Sequence, residues 1–147
     1  MAKLHFLAAL VLALSAALAQ AQATPVGLWK TVDDQSGKER SLIRITDATG
    51  TLTGRLEKSL DPDSKPGQTC DKCIDDRKDK PLLGMALIRN TKQSANDKAV
   101  WDGGDITDPD NGKVYRLRLK PLDDGKRLEV RGYIGPFYRN QVWIRVE

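Results

Sequence analysis

Val114-Tyr115-Arg116-Leu117-Arg118-Leu119-Lys120 decides the fold. Tyr115, Leu117 and Leu119 fall on one side of an extended chain, and Arg116, Arg118 and Lys120 on the other. That period of two marks a strand with one face buried and one in water. Working outward, Asp108-Pro109-Asp110-Asn111-Gly112 precedes it as a turn, with Asn-Gly expected to supply the positive φ angles of a tight hairpin. Asp123-Asp124-Gly125 follows and leads into a run from Leu128 to Ile134. Asn140 to Val146 closes the chain, with Val142, Ile144 and Val146 opposite Trp143 and Arg145. Upstream lie runs at Val26–Val32, Arg40–Thr46, Thr51–Leu60, Leu83–Asn90 and a looser one at Val100–Thr107. About eight strands at close spacing, with no amphipathic helix, predict an all-β fold. Antiparallel hairpins of that number close most economically into an up-and-down barrel, which leaves no exposed edge; a two-sheet sandwich is the alternative. The aliphatic rows of the second, third, sixth, seventh and eighth runs are expected to face inward, where Gly54 and Gly132 leave room for a ligand or for a tight bend.

The N-terminus has a different character. Lys3 precedes the apolar run Leu7-Ala8-Ala9-Leu10-Val11-Leu12-Ala13-Leu14, and small residues follow. This is the order of a secretory signal, in a run shorter than the roughly 20 apolar residues of a membrane span. Ala21-Gln22-Ala23 satisfies the small-x-small cleavage rule, with Ala17-Leu18-Ala19 as a second site. Residues 1–23 are therefore expected to be a signal peptide, and residues 24–147 one barrel domain acting in the periplasm or outside the cell. Lys3 is the only charged residue of the signal, so cleavage lowers the net charge from +4 to +3. The single histidine, His5, is lost as well. Ser-His-Asp and Cys-His catalysis, His-ligated zinc and histidine pH switching are then excluded. Basic and acidic residues are interspersed and aromatics are few, which is no nucleic-acid signature.

Residues 61–81 break the strand pattern and hold both cysteines. In an exported protein Cys70-x-x-Cys73 is expected to be a short structural disulfide. A redox dithiol would need a helix N-terminus, whereas Asp71, Asp75 and Asp76 disfavour a thiolate. A metal site would need a second copy of the chain to complete four cysteines. Asp102, Asp105, Asp108 and Asp110 could suggest calcium, but Leu119 stands where a calcium loop starting at Asp108 needs its Glu. Turn chemistry explains these aspartates. Arg116, Arg118 and Lys120, with Arg127 and Arg131 on the adjoining run, form a basic stripe that reads as a solvated outer face or as a contact for an anionic envelope surface. No catalytic residue, cofactor or metal ligand is assigned.

Taken together, several short stretches resemble the DUF2147 family of exported bacterial proteins, a domain of unknown function. They are Gly27-Leu28-Trp29-Lys30-Thr31, Leu52-Thr53-Gly54-Arg55, Cys70-Asp71-Lys72-Cys73 and Lys80-Pro81-Leu82-Leu83-Gly84. Further along come Trp101-Asp102-Gly103-Gly104, Asn111-Gly112-Lys113-Val114-Tyr115, Leu128-Glu129-Val130-Arg131-Gly132-Tyr133 and Trp143-Ile144-Arg145-Val146. The resemblance covers nearly all of residues 25–147. Phe137-Tyr138-Arg139-Asn140-Gln141 departs from the family's usual Leu-Gly-Arg-Thr-Gln. The resemblance implies a lipocalin-like barrel and brings no mechanism. It further implies that Arg145 on the last strand covers Trp29 on the first, a cation–π contact worth roughly 0.5–2 kcal/mol.

Two functions suit such a chain. One is a binding module holding a small apolar or lipid-like ligand. The other is a structural or interaction protein of the envelope whose barrel is filled by its own side chains. Ligand identity is not written in the residues. The cleavage reading gives a direct expectation: intact-mass or Edman analysis of exported protein returns Thr24 as the first residue. Retention of Met1 would remove the compartment argument.

Overall fold

The computed structural model describes residues 22–147, so the segment read as a signal lies outside the described residues except for Gln22 and Ala23. Eight strands run in chain order: β1 Gly27–Val32, β2 Glu39–Ala48, β3 Thr51–Ser59, β4 Ala86–Gln93, β5 Trp101–Thr107, β6 Val114–Leu122, β7 Arg127–Ile134 and β8 Phe137–Arg145. A single 3₁₀ turn, Asp123–Gly125, joins β6 to β7. Each strand pairs antiparallel with its neighbour and β8 returns to β1, giving a closed up-and-down barrel. Among the described residues no helix is long and apolar enough to cross a membrane.

Alternation positions most of the wall as the sequence suggests. Leu117 and Leu119 of β6 are buried, while Arg116 is exposed. β8 differs from expectation. Its aliphatic row faces out, with Val142 and Ile144 37% and 43% exposed, and Trp143 is 2% exposed inside. A strand has one inward row, and the indole has far more apolar surface to bury than either aliphatic. The space beside Gly54 is taken, whereas Gly132 borders the interior cavity with Tyr115 close by. A Cβ on Gly54 would lie 2.9 Å from Ile88, and one on Gly132 would lie 3.2 Å from Tyr115. At the β5–β6 turn only Gly112 has positive φ, and Asn111 does not. Asn111 Oδ1 instead accepts the Lys113 amide at 2.8 Å. Gly112 is needed there for a second reason, since a Cβ would meet the Lys72 carbonyl at 1.8 Å.

The two ends of the barrel are unlike. At one end lie the start of β1, the β6–β7 turn and the chain's C-terminus, and that end is filled. Trp29, Leu52, Leu119, Leu128 and Ile45 are almost fully buried. Each such side chain contributes about 1.5–3 kcal/mol by leaving water. Arg145 plugs this end, with its guanidinium carbon 4.2 Å from the centroid of Trp29. It donates to the carbonyls of Val26 and Thr24 at 2.8 Å each, to Glu147 at 3.2 Å and to Gly125. Trp29 Nε1 donates to the Pro25 carbonyl at 2.7 Å. β1 and β8 pair only at Trp29–Arg145 and Lys30–Ile144, whereas β7 and β8 pair along eight positions.

The segment between β3 and β4 is held against the outer wall. Thr69 and Pro81 form an isolated bridge. Arg77, 3% exposed, donates to the Ala86 carbonyl at 3.0 Å and grips Asp75 with Nε and Nη2. Those hydrogen bonds, more than charge alone, hold the Asp75 carboxyl down at about 2 against an ordinary 3.8. Arg89 pairs Asp76 at 2.8 and 3.0 Å.

Two outcomes follow. Arg145→Ala should cost about 2–4 kcal/mol, because it strands several carbonyls and uncovers Trp29. Arg145→Lys should recover only part, since one ammonium cannot reach all four acceptors. Urea unfolding followed by Trp fluorescence measures both. For Asp75, the folded pKa lies below the unfolded one. Its contribution is therefore complete above the unfolded value and is lost as pH falls toward about 2. Stability measured from about pH 5 down to pH 2 should fall in the wild type, and part of that slope should vanish in Asp75→Asn.

Candidate functional site

Opposite the Arg145 plug the barrel opens into a cavity of about 790 Å³. Its wall is largely apolar, built by Ile43, Leu56, Leu87, Ile106, Val130 and Trp143 from six different strands. Uncharged polar side chains interrupt it, among them Thr31, Ser41 and Gln141. Thr31 and Ser41 hydrogen-bond to each other at 2.8 Å, and Gln141 Oε1 accepts from Trp143 Nε1 at 3.0 Å. Thr107 is 2% exposed, and its hydroxyl has no partner in the protein.

Asp61 to Gln68 and Pro81 to Leu83 form one lip of the mouth, so the long segment between β3 and β4 borders the opening. Cys70 and Cys73 are joined by a disulfide behind that lip, and both are buried. The lip is tied across to the β5–β6 turn, where Lys72 Nζ donates to the Asp110 carbonyl at 2.9 Å. The rim itself is charged. Arg40 pairs Asp61 at 3.3 Å and Asp110 at 2.9 Å. Arg139 reaches from β8 to Asp34 and to Asp33 across the β1–β2 connection. The Arg139 hydrogen bond lowers the Asp34 carboxyl, while Asp33 is lowered mainly by hydrogen bonds from Ser36.

The remaining residues singled out in the sequence lie elsewhere. Trp29 and Arg145 meet at the closed end, outside the cavity. The basic stripe is on the outer face and is partly neutralised. Arg118 pairs Glu129 at 2.9 Å, Arg127 pairs Asp123, and Arg116 and Arg131 sit over the Tyr133 ring. Asp102, Asp105, Asp108 and Asp110 do not converge. Asp108 accepts from the Asp110 amide at 2.9 Å, as an Asx turn does, and Asp105 lies 3.8 Å from Arg77. Among the described residues no group of three or more acidic, Cys or His side chains could hold a metal. A second depression, of about 580 Å³, lies outside the wall between β3, β4 and the long segment, and is crossed by the Arg89–Asp76 pair.

Sequence reading missed Arg77, Thr107 and Arg139. Arg139 carried a signal: it shares the inward row of β8 with Gln141 and Trp143, two and four residues on. Thr107 ends a loosely patterned strand, and Arg77 stands among six consecutive charged residues. Neither pattern distinguishes it from a solvated residue.

The chain's fold is shared with a solved structure described as protein HP1028 from the human pathogen Helicobacter pylori, which belongs to the lipocalin family. The two are 16% identical, with a TM-score of 0.71 over 85% of this chain and 84% of that one. No curated protein matches the sequence. The family model for DUF2147, uncharacterized proteins conserved in bacteria, matches residues 27–145, and the chain belongs to that family.

Proposed function

We propose that this protein is an exported binding module that takes one small, largely apolar molecule into the open half of its barrel. The observation carrying this reading is the cavity of about 790 Å³, walled by Ile43, Leu56, Leu87, Val130 and Trp143. Its volume falls within the roughly 300–1,000 Å³ of small-molecule sites, and barrel mouths are a common place for them. The reading also suits a wall whose plug, Arg145, seals only the far end. Export to the periplasm or the medium is supported by the signal-like N-terminus and by a disulfide that needs an oxidising compartment.

A second reading, an interaction protein of the envelope, is favoured by one feature. Val142, Ile144 and Val146 form an exposed aliphatic row along β8. An anionic envelope surface is a weaker partner for the basic stripe, because Glu129 and Asp123 already occupy three of its arginines.

Titration with an apolar fluorescent probe separates the two. The binding reading expects saturable one-to-one binding to the folded protein, abolished by Val130→Trp, which fills the cavity from its wall. If the folded wild type shows no saturable binding, the interaction-protein reading replaces it.

A further inference from the structure

We infer that the β7–β8 hairpin is a membrane anchor, which sets the mouth of the barrel against the surface of an anionic phospholipid bilayer. This goes beyond the binding reading and does not depend on it. Tyr133-Ile134-Gly135-Pro136-Phe137-Tyr138 forms the end of the hairpin. Gly135 and Pro136 make the turn, with Gly135 at φ +55°. A positive φ at the first central position and the fixed φ of Pro at the second give a tight, stiff turn that matches the twist of the strands. A Cβ on Gly135 would meet nothing within 4 Å, so the turn stands clear of the barrel. Beside it Ile134 is 48% exposed, Phe137 73% and Tyr138 59%. Ile134 and Phe137 continue the inward rows of β7 and β8 past Gly132 and Arg139, which line the cavity, but they do not line it themselves. They project from its mouth.

The order of residues along the hairpin selects the partner. At the tip Ile134 faces Phe137, and one rung back Tyr133 faces Tyr138. The next two rungs carry Arg139 and Arg131. Arg116 of β6 stands beside the tyrosine rung, in register with Tyr133. Its guanidinium carbon lies 5.4 Å from the Tyr133 ring centroid, and that of Arg131 lies 4.5 Å from the Tyr138 centroid. From Ile134 to Arg131 the strand rises about 10 Å. Apolar tip, amphipathic tyrosines, then guanidiniums is the order met from the acyl chains of a bilayer outward through its interface to the phosphates. Arg116 has no ion pair among the described residues, and Arg131 reaches Glu129 only at 3.8 Å. Both are therefore placed to meet lipid phosphates, while Arg139 offsets Asp33 and Asp34 on the neighbouring β1–β2 connection. A protein partner of ordinary size would cover roughly 800 Å², far more than one narrow turn presents. A bilayer needs only the tip.

The experiment floats the full mature protein with vesicles of phosphatidylcholine, alone or mixed with phosphatidylglycerol. Mixed vesicles are expected to carry the wild type, and phosphatidylcholine alone to bind it more weakly. Joint replacement by Ile134→Ser and Phe137→Ser should lower the partition coefficient about 10-fold or more, because two apolar side chains leave the bilayer. Arg116→Gln should lower it about 5-fold on mixed vesicles and leave binding to phosphatidylcholine unchanged. Phe137→Trp keeps an apolar tip and should bind as the wild type does. Its added emission should shift to the blue on mixed vesicles and be quenched by bromines on the acyl chains, from which the buried Trp29, Trp101 and Trp143 are shielded. Ile144→Ser, on the outer row of β8, should change nothing. A wild type that mixed vesicles do not carry, or binding undiminished when Ile134 and Phe137 are both replaced, overturns the inference. So does a tip that pairs two copies in solution in place of binding lipid. Ile134 and Phe137 do not line the cavity, so dye titration without vesicles tests the binding reading separately.

Discussion

One guanidinium holds the entry to the first strand and the exit of the last together. Arg145 bonds the carbonyls of Thr24, Val26, Glu147 and Gly125, and lies across Trp29. These acceptors come from the segment before β1, the C-terminus and the β6–β7 turn, which are distant in sequence. Only Arg has a planar fork of donors wide enough to satisfy them together. Burial pulls its pKa below the usual guanidinium value, so the contact is made against a desolvation cost. The plug still holds because four of its five N–H donors find a carbonyl and the charge rests on an indole face. At this point it reinforces a short β1–β8 seam, which has two registered pairs and the backbone bonds between Leu28 and Val146–Glu147.

What the plug does at one end leaves the other end free to open. Near Arg145 the interior is filled by Trp29, Leu119, Leu128 and Leu52. Beyond Lys30 the β1–β8 pairing stops, and β1 shifts register between Thr31 and Val32. The wall there is completed by side chains in place of ladder hydrogen bonds. Arg139 bridges β8 to Asp34 across that gap. Interior side chains on this half are either modest in size or turned to pack against the wall, as Tyr115 packs on Gly132. A volume remains that the chain does not fill.

The strands and their antiparallel order were legible, because period-two alternation and turn residues are local signals. Tyr115 to Lys120 could be read almost alone. β8 could not, since Val142 and Ile144 compete with Trp143 for the inward row and the winner is decided by packing against Leu128 across the sheet. The cavity was legible only as one of two outcomes. Gly54 and Gly132 read alike, as room or as a bend, yet Ile88 from the neighbouring strand fills the place beside Gly54 while Gly132 borders the cavity. That is a cross-strand fact with no trace in a local pattern. Thr107 and Arg77 were hidden for the same reason: burial of a polar residue is fixed by what lies opposite, not by its sequence neighbours.

The ends of the barrel also differ in how firmly they are held. Main-chain carbonyls converge on Arg145 from elements that cannot move apart without opening the core. At the mouth the ties are ion pairs between exposed side chains, Arg139 with Asp34 and Arg40 with Asp110. Such pairs contribute about 0–1 kcal/mol each and weaken with salt. The disulfide adds little to global stability, because Cys70 and Cys73 enclose so short a loop. Its effect is local, giving the segment behind the lip one shape where Arg77 and Lys72 then anchor it. The fold thus places its rigid contacts where the chain must be closed and its weak ones around the opening. Motion that admits a ligand would then begin at the rim and stop at the Trp29 layer, where opening would expose buried apolar surface.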